Sequence, residues 1–357
     1  MRILVTGGAG FIGSRLARRL SQVHDVWVLD NLHAQVHGAR PIVPDWNERV
    51  RFRRADIRDQ AALAAVAAES RPEAVFHLAA ETGTGQSFDE VARYCEVNIT
   101  GTAMLIEALR RHGVTRRVVL ASSRAVYGEG PYRRADGGIV LAPARDPSAL
   151  RSGDFTVRAH DGTPLDPVPQ SAAHGVAPAS IYGSTKLMQE YLLLQTAAQA
   201  SWTVAALRFQ NVYGPGQSLR NPYTGVLSIF CSQILDGRGL DIYEDGAIVR
   251  DFVYVDDAVR ALELALEAPA TLLDVGSGRG STILQVADIL LKELGKAPPQ
   301  GRAVTGNYRV GDVRHAVADI TAARRELGWE PRTALEQGLA NLARWSREQR
   351  LHEDPAP

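Results

Sequence analysis

Cysteine is almost absent from this chain, with Cys95 and Cys231 the only two in 357 residues. Two thiols cannot build a disulfide framework or a multi-cysteine zinc site, and no metal is expected. Lysine is equally scarce. Lys186, Lys292 and Lys296 are the only lysines among 40 basic residues, and arginine carries the rest. The 40 basic residues balance 40 acidic ones, so no net charge argues for nucleic acid or an anionic membrane as partner. No apolar run approaches the length of a membrane span. The first apolar run is five residues long and ends in glycines, unlike a signal peptide, so a cytoplasmic protein is expected.

Glycine, by contrast, is placed with purpose. The chain opens MRILVTGGAGFIGSRLARRLSQVHDVWVLD. Arg2 to Thr6 is a short apolar run, as in a strand buried on both faces. Gly7, Gly10 and Gly13 follow, then a helical pattern that turns Phe11, Leu16 and Leu20 inward. A second apolar run from Asp25 to Leu29 ends in Asp30. Strand, glycine turn, helix, strand and acid, in that order, make a dinucleotide site. The pyrophosphate needs bare N–H groups at a helix N-terminus, and the acid receives the adenosine ribose hydroxyls. A carboxylate at Asp30 would repel a 2′-phosphate, which favours NAD over NADP.

Strand and helix patterns keep alternating to residue 128, which predicts a doubly wound parallel α/β sheet of the Rossmann type. The helical spacing over 91–111 predicts one continuous helix. Residues 129–178 are rich in Pro, Gly, Arg and Asp and show no sustained period, so they read as a long irregular insertion. Helical spacing returns at 181–198 and a strand at 203–209. Shorter elements after 212 predict a smaller mixed α/β lobe. The expected organisation is a cofactor domain over 1–211, a mainly substrate-binding lobe over 212–350 with some segments returning to the first domain, and a frayed tail over 351–357.

Tyr182 and Lys186 stand four apart in YGSTK, on one helix face. A tyrosine is a poor base at neutral pH, and a nearby ammonium favours its phenolate. The pair could then move a proton on or off a sugar hydroxyl. Ser122-Ser123-Arg124-Ala125-Val126-Tyr127-Gly128 falls at the C-terminal end of a predicted central strand, where ligands bind in open α/β sheets. His77, by the same reading, is a strand-end structural residue.

Taken together, TGGAGFIG, Asp30, Asp56-Ile57, HLAA at 77–80, VNITGT around Asn98, SSRAVYG, YGSTK, RFQNVYGPG at 208–216 and RDFVYVDD at 250–257 resemble the extended short-chain dehydrogenase/reductases of the nucleotide-sugar epimerase and dehydratase type. The resemblance spans almost the whole chain. It implies that Gly7, Gly10, Phe11, Ile12 and Gly13 cradle the pyrophosphate of NAD, that Asp30 and Asn31 hold the ribose, and that Asp56 and Ile57 flank the adenine. Leu78, Ala79, Ala80, Asn98, Ser122, Phe209, Asn211 and Val212 would complete the cofactor site. Tyr182, Lys186 and Ser123 would be catalytic. Ser123, Arg124, Tyr182, Asn211, Asn221, Val226, Tyr243, Arg250, Arg309 and Asp312 would face the sugar nucleotide, and a homodimer would form through the helices at 91–111 and 181–198.

Dehydratases of this type resemble a pattern with an Asp-Glu pair just before Val-Tyr-Gly. Arg124 and Ala125 stand there instead, which points to C4 epimerisation through a 4-keto sugar. The stretch 208–230 and the insertion resemble the dTDP-L-rhamnose 4-epimerase group, whose product is dTDP-6-deoxy-L-talose. UDP-glucose or another UDP-hexose is the alternative substrate. An NADP-dependent reductase is disfavoured by Asp30, and a non-catalytic dinucleotide sensor by the presence of both Tyr182 and Lys186.

Overall fold

The computed structural model describes residues 1–353 apart from 40, 220, 222, 224, 270 and 310. Seven strands form the main sheet: β1 (Arg2–Thr6), β2 (Asp25–Asp30), β3 (Val50–Arg54), β4 (Ala74–His77), β5 (Arg117–Ser123), β6 (Thr203–Phe209) and β7 (Thr271–Val275). Their order across the sheet is β7-β6-β5-β4-β1-β2-β3, and every neighbouring pair is parallel. The order reverses beside β1, so a crevice opens between the carboxyl ends of β1 and β4. Apart from the edge strand β3, which carries three arginines, continuous apolar runs make these strands two-faced. Ile3 and Val5 pack into one core with Leu16, Leu20 and Phe209, while Leu4, Val75 and Val118 pack into the other with Leu63, Leu105 and Leu193.

The 91–111 region is helical, but not as one regular helix. Val91–Cys95 and Gly101–His112 are joined by a π-helical turn, Glu96–Thr100. The extra residue in that turn carries Asn98 into the interior, where it is fully buried. Helical spacing alone does not reveal one inserted residue.

The insertion is more ordered than its composition predicts. Pro131–Arg133 pairs antiparallel with Ile139–Leu141 and with Asp166–Pro167. Asp146 caps a short helix, Pro147–Arg151, by accepting the Ser148 N–H at 2.9 Å. Tyr132, Ala142, Val157 and Leu165 form a small core of their own. These strands are two or three residues long, too short for a period to register. Their turns were legible: Asp136-Gly137 and Asp161-Gly162 are the dipeptides that tight hairpins favour.

Beyond residue 210, Asn211–Tyr213, Val249–Tyr254, Gly280–Thr282 and His315–Ala316 make a mixed four-stranded sheet, and Leu240–Ile242 pairs with Arg302–Val304. β7 returns to the edge of the main sheet. The last helix runs Leu335–Glu353, past the point where fraying was expected, and 354–357 lie outside the described residues. No described helix is long and apolar enough to cross a membrane.

Candidate active site

A cleft of about 450 Å³ lies along the carboxyl ends of β1, β2, β4, β5 and β6. At its floor Gly7 has φ +67°, a left-handed conformation that glycine adopts freely. A Cβ there would sit 2.6 Å from the Ala79 nitrogen, and one on Gly13 would overlap the Gly7 carbonyl. Gly10 precedes the helix Phe11–Leu20, whose N-cap carries no side-chain hydrogen bond. Glycine backbone at an uncapped helix N-terminus fits a dinucleotide pyrophosphate. Asp30 fixes this turn: its carboxylate accepts the Ala9 N–H at 3.0 Å and the Leu32 N–H at 2.8 Å.

The other expected cofactor residues divide. Gly7, Gly10, Phe11, Ile12, Gly13, Asp30, Asn31, Ile57, Leu78, Ala79, Ala80, Ser122, Phe209, Asn211 and Val212 all line the cleft. Asp56 faces a shallow groove outside it, beside Arg58 and Glu96. Its carboxylate accepts from Asn31 at 2.9 Å and from Arg58 at 2.8 Å, and the Arg58 guanidinium holds it well below the usual carboxylate range. Asn98 does not line the cleft either. Its amide joins the Glu81 backbone to Thr185 Oγ1, at 3.1 and 2.9 Å, and so ties the strap after β4 to the Ile181–Ala197 helix.

Ser180 caps that helix by accepting the Gly183 N–H at 3.0 Å, which sets Tyr182 in the first turn with its hydroxyl hydrogen-bonded to Ser123. Ser123 ends β5 and also accepts the Ala125 N–H at 3.1 Å. The Tyr94 ring meets Tyr182 edge-on, with centroids 6.4 Å apart. Burial pushes the Tyr182 phenol up, while the Ser123 hydrogen bond and the positive charge of Arg124 pull it back.

Lys186 sits where its spacing predicts and is also tied to the interior. It lies one turn below Tyr182 and lines the cleft, and its Nζ donates to Gln189 Oε1 at 2.5 Å. Gln189 passes the contact to Thr102 at 2.8 Å and His77 at 3.1 Å. Burial pulls the Lys186 ammonium down to about 7, against the opposing pull of Glu190. His77 is also bonded to Thr6 at 2.7 Å, and burial holds it down to about 3, so it stays neutral and structural.

Toward the C-terminal lobe, Asn221 and Val226 line the cleft with Arg124 and Asn211. The Arg124 Nε donates to Asn211 Oδ1 at 3.2 Å. Tyr243, Arg250, Arg309 and Asp312 are not among the residues that line the cleft. Arg250 pairs with Asp312 at 2.6 Å, and Arg309 stacks over the Tyr243 ring at 5.1 Å. Burial and the nearby Arg250 lower the Arg124 guanidinium to about 10, and Asp312 opposes that shift. Among the described residues no group of His, Cys, Asp and Glu is placed to hold a metal.

Under the site runs a buried network that the sequence reading did not single out. Ser122 donates to Glu190 Oε1 at 2.5 Å, and Arg208 donates to both Glu190 oxygens at 3.0 and 2.7 Å. Arg208 also donates to the Tyr127 hydroxyl at 2.9 Å, and Tyr127 donates to Asp274 at 2.8 Å. Burial pushes the Asp274 carboxyl up to about 7. A signal for Glu190 was available: it stands four residues after Lys186 on the same helix face. Gln35 and Gln86, which meet the expected Asn221, were also missed. They bridge three loops through contacts of 2.8 and 3.2 Å, and only the fold brings them together.

Comparison with known proteins fits this geometry. The model of the NAD dependent epimerase/dehydratase family matches residues 3–147 and 159–276. A dTDP-L-rhamnose 4-epimerase of Burkholderia thailandensis is 41% identical over 352 residues, covering 96% of this chain and 94% of the relative. The crystal structure of a Thermotoga maritima UDP-glucose 4-epimerase with UDP-glucose superposes with a TM-score of 0.78 at 32% identity, covering 98% of this chain and 99% of that one. A Streptomyces venezuelae dTDP-glucose 4,6-dehydratase with NAD bound gives 0.80 at 28% identity, with 99% of each chain covered. The chain therefore belongs to the NAD dependent epimerase/dehydratase family, and it is an NAD-dependent nucleotide-sugar 4-epimerase.

Proposed function

We propose that the substrate is dTDP-L-rhamnose, inverted at C4 through a 4-keto sugar to dTDP-6-deoxy-L-talose. The 41% identity over 96% of the chain to a dTDP-L-rhamnose 4-epimerase carries this reading. The chemistry of the turn after β5 supports simple epimerisation. Elimination of water from the sugar calls for an acid and a base near C5 and C6, and Arg124 and Ala125 supply neither.

Residues 1–211 would hold the cofactor and 212–350 mainly the sugar nucleotide. Gly7, Gly10 and Gly13 would receive the pyrophosphate and Asp30 the adenosine ribose. When bound, NAD supplies the hydride acceptor and donor at C4. Tyr182, as phenolate, takes the C4 hydroxyl proton as the C4–H bond breaks and the C=O bond forms. Ser123 holds the sugar oxygen through both half-reactions. The keto sugar turns about its diphosphate link and presents its other face. Tyr182 then returns the proton to the oxygen as the C–H bond re-forms. Arg250 and Arg309, whose forked guanidinium groups suit phosphate oxygens, would hold the diphosphate while the sugar turns.

Met188, Tyr191 and Leu194 are exposed at three-residue spacing along the Ile181–Ala197 helix, with Val91 and Phe88 also exposed nearby in the chain's helical region. We assign this apolar stripe to a homodimer contact. The unpaired Cys95 and Cys231 fit a reducing compartment, and we place the protein in the cytoplasm.

Proton NMR of the purified protein, incubated without added cofactor and separately with dTDP-L-rhamnose and UDP-glucose, tests the substrate. A new C4 epimer from dTDP-L-rhamnose is expected. Turnover of UDP-glucose alone would instead make the protein a UDP-hexose 4-epimerase.

A further inference from the structure

Three segments from separate parts of the chain wall the cofactor cleft. His33 and His37 line it after β2, Glu81 and Thr84 after β4, and Asn221 and Tyr223 from the C-terminal lobe. In the sheet β2 and β4 flank β1 on either side. A bond between the segments that leave them therefore spans the end of β1, the strand that delivers the glycine turn. Such a bond exists. Gln35, in the short helix Ala34–His37, meets Gln86, which opens the short helix Gln86–Asp89, amide to amide. Gln35 Nε2 donates to Gln86 Oε1 at 2.8 Å, and Gln86 Nε2 donates back to Gln35 Oε1 at 3.0 Å. Gln35 Nε2 also donates to Asn221 Oδ1 at 3.2 Å, which brings in the lobe.

Neighbours hold the two amides in place. Glu90 accepts from Gln86 at 2.7 Å, and Arg93 donates to Gln35 Oε1 at 3.4 Å while pairing with Glu81 at 2.8 Å. A further contact completes the ring: a Cβ on Gly83 would sit 3.2 Å from the Tyr223 Cβ, so the segment after β4 also packs on the lobe. Gln86 is buried, and parting the amides breaks two hydrogen bonds at once, which favours the closed arrangement. Neither glutamine lines the cleft itself. We propose that Gln35 and Gln86 form a clasp across the cofactor cleft that sets how fast NAD enters and leaves, and so keeps one NAD in place over many turnovers. Epimerisation regenerates NAD in every cycle, so slow exchange does not limit the rate. The clasp concerns the dinucleotide alone and holds whichever sugar nucleotide is turned over.

The test follows NAD exchange in the NAD-loaded protein. The protein is mixed with excess deuterated NAD and re-isolated at intervals, and mass spectrometry of its dinucleotide gives the exchange rate. Gln35→Leu and Gln86→Leu should each speed exchange at least about tenfold, because either change removes both bonds of the pair. The double variant should be no faster than the faster single one, since the second change removes a partner already unpaired. Because neither side chain lines the cleft, the clasp acts on entry and exit alike, and NAD affinity in calorimetric titration should stay nearly unchanged. Gln35 is only half-buried, so Gln35→Leu carries the comparison if Gln86→Leu does not fold. Unchanged exchange in Gln35→Leu would overturn the proposal. So would an affinity that falls in step with the faster exit, which would make the pair a support for binding and not a clasp. No sugar enters the experiment, so its outcome is independent of the substrate reading.

Discussion

The Arg208–Glu190 pair lies under the active site with side chains 4% and 1% exposed. Arg208→Met removes one partner and leaves a carboxylate in the interior, still facing Ser122. Breaking a buried pair in this way costs about 3–5 kcal/mol. Unfolding a chain of 357 residues releases roughly 0.75 kcal/mol/K of entropy, so Tm should fall by about 4–7 °C. Calorimetry at pH 7 and one fixed NAD concentration reads this directly, since cofactor binding itself moves Tm. The double variant Glu190→Met/Arg208→Met removes both charges and should lose less than Arg208→Met alone. A single-variant loss below about 1 °C, or a double variant less stable than the single, would refute the idea that an uncompensated charge sets the cost.

Two further predictions concern the cleft. Gly13→Ala sets a Cβ against the Gly7 carbonyl, a backbone atom that cannot step aside, so NAD affinity should fall at least about tenfold in calorimetric titration while the unliganded fold survives. Lys186 gives stability a pH signature. Its folded value near 7 lies below the unfolded value near 10.5, so the unfolded chain binds the extra proton between these limits and stability rises as pH climbs from about 7 to about 10.5. Lys186→Met should flatten that rise in urea midpoints measured across the interval.

The sequence exposed most of what repeats or carries a motif. The apolar runs of β1, β2, β4, β5 and β6 made the parallel sheet legible, because strands buried on both faces need no partner to be recognised; β3 carries three arginines, and the run at 272–275 was read with the C-terminal lobe. The glycine turn and Asp30 were legible for a chemical reason: the close approach of backbone to Ala79 excludes other residues at Gly7. Tyr182 and Ser123 were found at opposite ends of the insertion and meet at a hydrogen bond. What escaped notice depends on contacts across the fold. The spacing of Tyr182 and Lys186 shows one cation a helical turn from a tyrosine, but not that Gln189, one turn further on, accepts from that ammonium. Asp56 and Asn98 fit the family's motifs, but an adjacent arginine and a π-turn direct their side chains away from the cleft. Likewise Asp251 and Asp257 in RDFVYVDD bind backbone N–H groups of 277, 278, 318, 332 and 333, so much of that motif holds the C-terminal lobe together.

The central claim is that hydrogen leaves C4 and returns to C4 within one closed site, with Tyr182 moving only the hydroxyl proton. Incubating dTDP-L-rhamnose deuterated at C4 with the enzyme in ordinary water tests it most directly. The account predicts a C4 epimer that keeps its deuterium, and a Tyr182→Phe variant at least about a hundredfold slower. An epimer carrying solvent hydrogen at C4, or undiminished turnover without the tyrosine hydroxyl, would contradict it.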